Sequence, residues 1–385
     1  MARAFEPSPP QAAFAWADQW SLSAGTERIP LSEAVGRLLA QDLRAHADIP
    51  PEARSVRDGY ALHAADTLGA GDYSPQQLRL VPATLPVERN CAAGVSDGDP
   101  IPPGTDAVLA IDQGDAQGVL LEVGVSLARG DGIVTTGEEY AAGELLLGTG
   151  RRLRPQDLAQ LAIAGYREVV VYRRPQVRLL LAGHFELDAD GPLLASLINR
   201  DGGELAGLHV VADATALAEV LQQQDADLTL VAGGTGHGSR DHAWDVLQQC
   251  GTVHLDGVAI HPGGGIVLGE AAARPVILLP GAPLACICAY DLVAARALRR
   301  MSGRKSALPY RRVTLTLGRK IVSKIGCLDL ARLKITGDIA DPIATSDGRT
   351  LSTTIQADGF LLIPPQSEGY PAGTRVAPYL YDEYD

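Results

Sequence analysis

The chain has 385 residues, 46% hydrophobic and 21% charged, a globular composition that excludes disorder over its bulk. Its 33 lysines and arginines face 46 aspartates and glutamates, a formal charge of −13, which argues against nucleic acid or an anionic membrane surface as partner. Any anionic ligand must be held by a local site that works against the overall field. Length suggests two or three domains of about 100–200 residues each, and 42 glycines with 25 prolines mark many tight turns between short elements.

Residues 11–24 and 32–46 read as helices. Ala13, Trp16, Ala17 and Trp20 recur at helical spacing, and Ser32 suits an N-cap before Ala34, Val35 and Leu38. From about 47 to 129 short β-like runs such as Leu78–Pro82 and Val108–Ile111 alternate with Gly, Pro and Asp turns. A helix over Gln156–Ala164 and a β-branched run at Val169–Tyr172 follow. Residues 175–303 change rhythm. Strands at Val177–Leu181, Leu208–Val211, Leu228–Val231, Ile266–Gly269 and Val276–Pro280 alternate with helices at Leu193–Arg200, Ala216–Gln223 (capped by Asp213), His242–Cys250 and Leu284–Met301. Apolar strands alternating with helices predict a parallel sheet covered on both faces, with ligands beyond the carboxyl ends of its strands. Residues 310–385 are β-patterned again, with strands expected at Arg312–Leu317, Ala331–Ile335, Gly359–Ile363 and Val376–Tyr381.

Three glycine turns fall at those strand ends. Val231-Ala232-Gly233-Gly234-Thr235-Gly236-His237-Gly238-Ser239-Arg240-Asp241 joins a buried strand to a helix. Glycines let backbone N–H groups approach an anion, a helix N-terminus adds partial positive charge, and Thr235 and Ser239 add hydroxyl donors. It lacks the Gly-Lys-Ser/Thr of a Walker A loop. His261-Pro262-Gly263-Gly264-Gly265 and Leu279-Pro280-Gly281-Ala282-Pro283 are the other two, and together the three could line a pocket for a phosphorylated ligand. Arg54-Ser55-Val56-Arg57-Asp58-Gly59-Tyr60 is a charged turn of the β segment. Gly94-Val95-Ser96-Asp97-Gly98 matches a nucleophile elbow but lacks the strand and helix that motif needs. The five cysteines have no zinc or disulfide spacing, and no histidine pair has the helical i, i+4 spacing of a zinc site. Met1–Pro10 has no apolar core and no run approaches the ~20 residues that span a bilayer, so a cytoplasmic location without membrane contact is expected.

These turns, in this order and over about residues 10–380, resemble the molybdopterin molybdenumtransferase family, which includes MoeA and the gephyrin E domain. The family's N-S-A-M-D-G-Y-A segment corresponds to Arg54–Ala61, its T-G-A-P-V-P-x-G-A-D-A-V to Asp97–Val108, and its G-E-D-I to Gly137-Glu138-Glu139-Tyr140. Its G-G-V-S-V-G-x-x-D corresponds to Gly233–Asp241, its K-P-G-K-P to His261–Gly265 and its L-P-G-N-P to Leu279–Pro283. The resemblance implies a multidomain α/β plus β fold. An α-rich linker domain would take residues 8–46 and 130–173, and an inserted small β domain 47–129. A three-layer α/β/α molybdopterin-binding domain would take 174–304, and a C-terminal β-barrel-like domain 305–385.

The implied reaction joins molybdate to adenylylated molybdopterin and releases AMP, with Mg2+ as cofactor. Asp58, Glu186 and Asp241 would be the catalytic carboxylates, and Glu139 and Asp241 the metal ligands. Gly233, Gly234, Thr235, Gly236, Gly238, Ser239, His261, Gly263 and Gly281 would bind substrate. The family forms homodimers with the cleft between the α/β domain of one subunit and the inserted region of the other, and a molybdoenzyme would accept the product. Departures from the pattern are specific. The two lysines of K-P-G-K become His261 and Gly264, so a permanent charge becomes at best a titratable one. Asp97 replaces a threonine and would repel an oxyanion, and Ala282 replaces an asparagine. The G-D-E-L turn becomes Gly183-His184-Phe185-Glu186-Leu187, one residue longer. Besides a transferase, a paralogue that binds the pterin and delivers it to a molybdoenzyme, or a non-catalytic scaffold, would also fit these residues.

Overall fold

The computed structural model describes residues 6–21, 25–182, 189–236, 241–343 and 352–381. They form two compact units, one made of Met1–Thr26 with Tyr172–Asp385 and the other of Glu27–Val171.

The first unit is built on a six-stranded sheet in the order Glu204–Val211, Gln176–Ala182, Leu228–Ala232, Arg274–Leu279, Val267–Ala271, Gly251–Asp256. The first four strands are parallel, as expected, but Val267–Ala271 runs antiparallel to both its neighbours, which corrects the all-parallel expectation. The Val267–Ala271 and Arg274–Leu279 strands are joined by a two-residue turn at Ala272 and Ala273, both with positive φ, which leaves no room for a crossover helix. Strand alternation divides the core. Val177, Leu179 and Leu181 point to one face and Leu180 to the other. On the first face lie α1 (Pro10–Asp18), α3 (Asp190–Arg200), α6 (Pro283–Ala289) and α7 (Ala295–Met301); on the second, α4 (Ala214–Leu221) and α5 (Ala243–Cys250). The helix α2 (Pro155–Ile163) belongs to the second unit. Asp213 caps α4 by accepting from the Ala216 N–H at 2.9 Å, as expected. Between α6 and α7 the helix widens into a π turn over Tyr290–Ala294, so the Leu284–Met301 helix of the sequence is continuous but not uniform.

The C-terminal part of this unit is a mixed sheet centred on the nine-residue strand Leu328–Thr336, flanked by Gly359–Ile363 and Ile339–Pro342. The expected Arg312–Leu317 and Val376–Tyr381 strands are each broken into two short pieces. In the long strand, Ala331, Leu333 and Ile335 fill this sheet's own core, while Leu330 turns to the core shared with α6 and α7.

The second unit holds a six-stranded sheet in the order Ala107–Ala110, Gly59–Leu62, Cys91–Val95, Gln76–Leu80, Leu120–Val123, Gly114–Gln117. The helix expected over 32–46 is absent. Backbone N–H groups of Gly36, Leu39 and Ala40 donate to Leu153, Arg151 and Val170, and Leu43–Arg44 pairs with Leu145–Leu147. Long-range pairing there outcompetes helical propensity.

The helix α2 is anchored by Asp157, 5% exposed, at its third position. Its carboxylate accepts from Arg151 Nη2 at 2.7 Å and Nε at 3.0 Å, and from the Arg154 backbone N–H at 2.9 Å. The Arg151 hydrogen bond first, then the bonds from Arg154, hold this carboxyl well below the usual carboxylate range. A depressed folded-state value means the stabilisation is complete above the unfolded value of about 3.9 and is lost as pH falls through the folded value. Asp157→Asn should therefore cost about 2 kcal/mol near neutrality, the scale of charged hydrogen bonds. Its deficit in thermal unfolding by circular dichroism should shrink below about pH 4. A deficit that stays constant down to the acid limit would contradict this.

Candidate functional site

The Leu228–Ala232 strand is buried at every residue and runs directly into Gly233 and Gly234. Both have positive φ (88° and 67°), a conformation that side chains resist, so glycine is needed to turn the chain outward here. Gly233 N–H donates to Leu279 O at 3.0 Å, and a Cβ at Gly281 would lie 3.1 Å from the Gly233 Cα. Two of the three glycine turns therefore lie against one another at adjacent strand ends. Gly234 O accepts from the Ala243 N–H at 3.1 Å, tying the turn to the start of α5. Thr235 and Gly236 continue outward, and a Cβ on Gly236 would stand 2.6 Å from Asp241 Oδ2. The Asp241 carboxylate thus covers Gly236. Gly238, Ser239 and Glu186 lie outside the described residues.

The third turn is fixed from below and from the side. A Cβ on Gly263 would meet Ala285 O at 2.9 Å and Ala289 N at 3.0 Å, so the turn rests on the backbone of α6. Ile260–His261 pairs in parallel with Leu328–Asp329 of the long C-terminal strand. His261 is half-exposed, and its Nδ1 lies 3.0 Å from Asp329 Oδ1, while Asp329 Oδ2 accepts from Ser323 Oγ at 2.9 Å. The Asp329 carboxylate therefore orients the imidazole. Gly264 cannot simply be exchanged for the family's lysine, because a Cβ there would lie 2.9 Å from Ile260 O and 3.0 Å from Val258 O.

Arg332, on the same strand as Asp329, was not singled out from the sequence. It is 1% exposed. It stands directly opposite Phe360 in the sheet register and on the same strand face as Leu330, so it points into the core beneath α6. Among the described residues, no acceptor lies within hydrogen-bonding distance of its Nε or Nη1. Burial pushes the Cys288 thiol of α6 up to about 12, and the charge of Arg332 draws it back. A buried guanidinium with unsatisfied N–H groups is costly unless an acceptor completes it. The signal in the sequence was an arginine at an inward position of an otherwise apolar alternation.

The second unit carries the remaining candidates. Asp58 is exposed; its Oδ1 accepts from the Asp97 N–H at 2.9 Å and its carbonyl from Ile111 N–H at 3.0 Å. Arg54 Nη1 donates to Gly98 O at 2.8 Å, so the Arg54–Gly59 and Asp97–Gly98 turns brace each other. Asp97 thus contributes its backbone N–H to this brace. Glu139 is exposed, with its N–H on Ile49 O. Beside it, Glu138 accepts from the N–H and hydroxyl of Thr135, bonds that hold its carboxyl below the usual range. Carboxylates are suitable Mg2+ donors, but among the described residues no three His, Cys, Asp or Glu side chains converge as a metal site. The described residues thus do not assemble the implied ion's ligands.

Among the described residues, no helix is long and apolar enough to cross a membrane. Residues 9–165 match the family described as "MoeA N-terminal region (domain I and II)", and residues 132–300 match "Probable molybdopterin binding domain". The chain is 29% identical to molybdopterin molybdenumtransferase 2 of Mycobacterium tuberculosis, over 90% of this chain and 93% of that one. It is 25% identical to a molybdopterin molybdenumtransferase of Staphylococcus epidermidis, over 90% and 89%. The crystal structure of the molybdopterin biosynthesis MoeA protein from Pyrococcus horikoshii OT3 aligns with a TM-score of 0.79 and 28% identity, covering 98% of this chain and all of that one. With that fold shared along nearly its full length and the two matches together running from residue 9 to residue 300, the chain belongs to the MoeA family of molybdopterin biosynthesis proteins.

Proposed function

We propose that this protein is a molybdopterin molybdenumtransferase, which joins molybdate to adenylylated molybdopterin and releases AMP in molybdenum cofactor synthesis. The observation that carries the reading is the pairing of the His261 turn with the strand of Asp329 and Arg332, next to two abutting glycine turns. In a chain of net charge −13, these are local donors for anions. Gly233, Gly234, Thr235 and Gly236, with Gly238 and Ser239, offer backbone and hydroxyl donors to the phosphate of the pterin. Gly263 and Gly281 keep side chains out of the space beside them. Arg332 supplies the permanent positive charge that His261 and Gly264 no longer supply, and its unsatisfied N–H groups match an oxyanion acceptor. His261, oriented by Asp329, is a second donor, in the turn that rests on α6.

Asp58, Glu186 and Asp241 are the carboxylates to which the family pattern gives catalytic roles, and Glu139 with Asp241 the metal role. Mg2+, a homodimer and a molybdoenzyme acceptor come with the same reading.

Two measurements test it. Anaerobic incubation with adenylylated molybdopterin, molybdate and magnesium should release AMP, and Arg332→Met should slow that release by about 100-fold, the scale for losing one oxyanion donor. A folded wild-type protein that releases no AMP above buffer would sink the assignment. Gly236→Asp sets a second carboxylate against Asp241 at a position where even a Cβ lies 2.6 Å from Oδ2. It should abolish binding of the adenylylated pterin in equilibrium titration, and unchanged affinity would count against the role of this loop.

A further inference from the structure

The strongest polar cluster in the first unit takes no part in the site described above. Asp291 lies in the π turn between α6 and α7 and is 3% exposed. Its Oδ1 accepts from Arg200 Nη2 at 2.6 Å and its Oδ2 from the Tyr310 hydroxyl at 2.8 Å. Arg200 is the last residue of α3 and also bonds Tyr310 OH and Asp201, and Asp201 in turn accepts from Arg299 Nη1 of α7 at 2.8 Å. One carboxylate therefore ties together the end of α3, the π turn and the segment that enters the C-terminal sheet.

Two of these ties lead toward the oxyanion end. The π turn follows directly on α6, the helix whose backbone supports Gly263 and which shares a core with Leu330, on the strand face that Arg332 takes. The Tyr310 ring packs edge-on against Phe360 at 5.4 Å and against Tyr381 at 5.7 Å, and Phe360 is the residue directly opposite Arg332. The helix that supports Gly263 and the aromatic wall opposite Arg332 are thus anchored on the same carboxylate. A π turn admits one extra residue into a helix, and it is a feature that persists where surrounding bonds hold it.

We propose that Asp291 is a positioning residue for the oxyanion end of the site: held by Arg200 and Tyr310, it fixes together the π turn that follows α6 and the aromatic wall opposite Arg332. The inference rests on the reading of Arg332 given under the proposed function. Asp291 touches no substrate, and its effect passes through Arg332.

The test compares wild type, Asp291→Asn and Tyr310→Phe, with molybdate itself as the probe in calorimetry and both substrates varied in AMP-release assays. Both variants should weaken molybdate binding and raise its KM by at least about fivefold, while the KM for adenylylated molybdopterin stays within about twofold. A merely structural role would lower the unfolding temperature without that split between substrates. Wild-type affinity for molybdate in the folded variants, or an equal rise in both KM values, overturns the inference alone. If Asp291→Asn does not fold, Tyr310→Phe, which removes one hydroxyl, decides it. A wild-type protein that binds no molybdate overturns the reading of Arg332 and this inference with it.

Discussion

The parallel pairing of Ile260–His261 with Leu328–Asp329 is the contact on which the proposed anion site depends. It is only two residues long, yet it joins a loop of the α/β sheet to the longest strand of the C-terminal sheet. Asp329 takes the imidazole of His261 on one oxygen and Ser323 on the other, so the register is held by side chains as well as backbone. Strand alternation then sends Leu330 and Arg332 under α6, while Ala331 and Leu333 serve the other core. A slip of one residue would exchange those faces and remove the guanidinium from the site.

The glycine turns follow a related constraint of close approach. Gly281 stands against Gly233, Gly263 against the α6 backbone, and Gly264 against two carbonyl oxygens of its own loop. The loss of the second family lysine is therefore built into the backbone of this chain and is more than a surface exchange. The positive charge has to come from elsewhere, and a buried arginine on the neighbouring sheet is a compact solution. Arg is always ionised, and its planar fork suits an oxyanion better than a histidine whose charge varies near neutral pH.

Much of this architecture was legible in the sequence because local and global preferences agreed. Leu228–Ala232 is apolar throughout and forms a fully buried central strand, and Asp213 caps α4 as its residue type suggests. The misreadings have a common cause. Residues 32–46 carry helical spacing, but the N–H groups of Gly36, Leu39, Ala40 and Ala45 are taken by strands and turns about 100 or more residues away, from Glu144 to Val170. Val267–Ala271 pairs antiparallel with Arg274–Leu279 because the two-residue turn at Ala272 and Ala273 joins them directly. Arg332 escaped notice because a charged residue in an apolar run reads as surface until the partner strand shows which face it takes. The π turn at Tyr290 leaves no mark on the apolar pattern. The glycine turns, in contrast, announced themselves, since each sits where only a missing Cβ allows the backbone to pass.

A crystal structure of the full chain soaked with molybdate, with molybdenum located by anomalous scattering, tests the central claim most directly. The account predicts a molybdenum peak whose oxygens lie within hydrogen-bonding reach of the Arg332 guanidinium, beside the His261 turn. Molybdenum bound elsewhere, with the Arg332 N–H groups satisfied by protein or water alone, would contradict it.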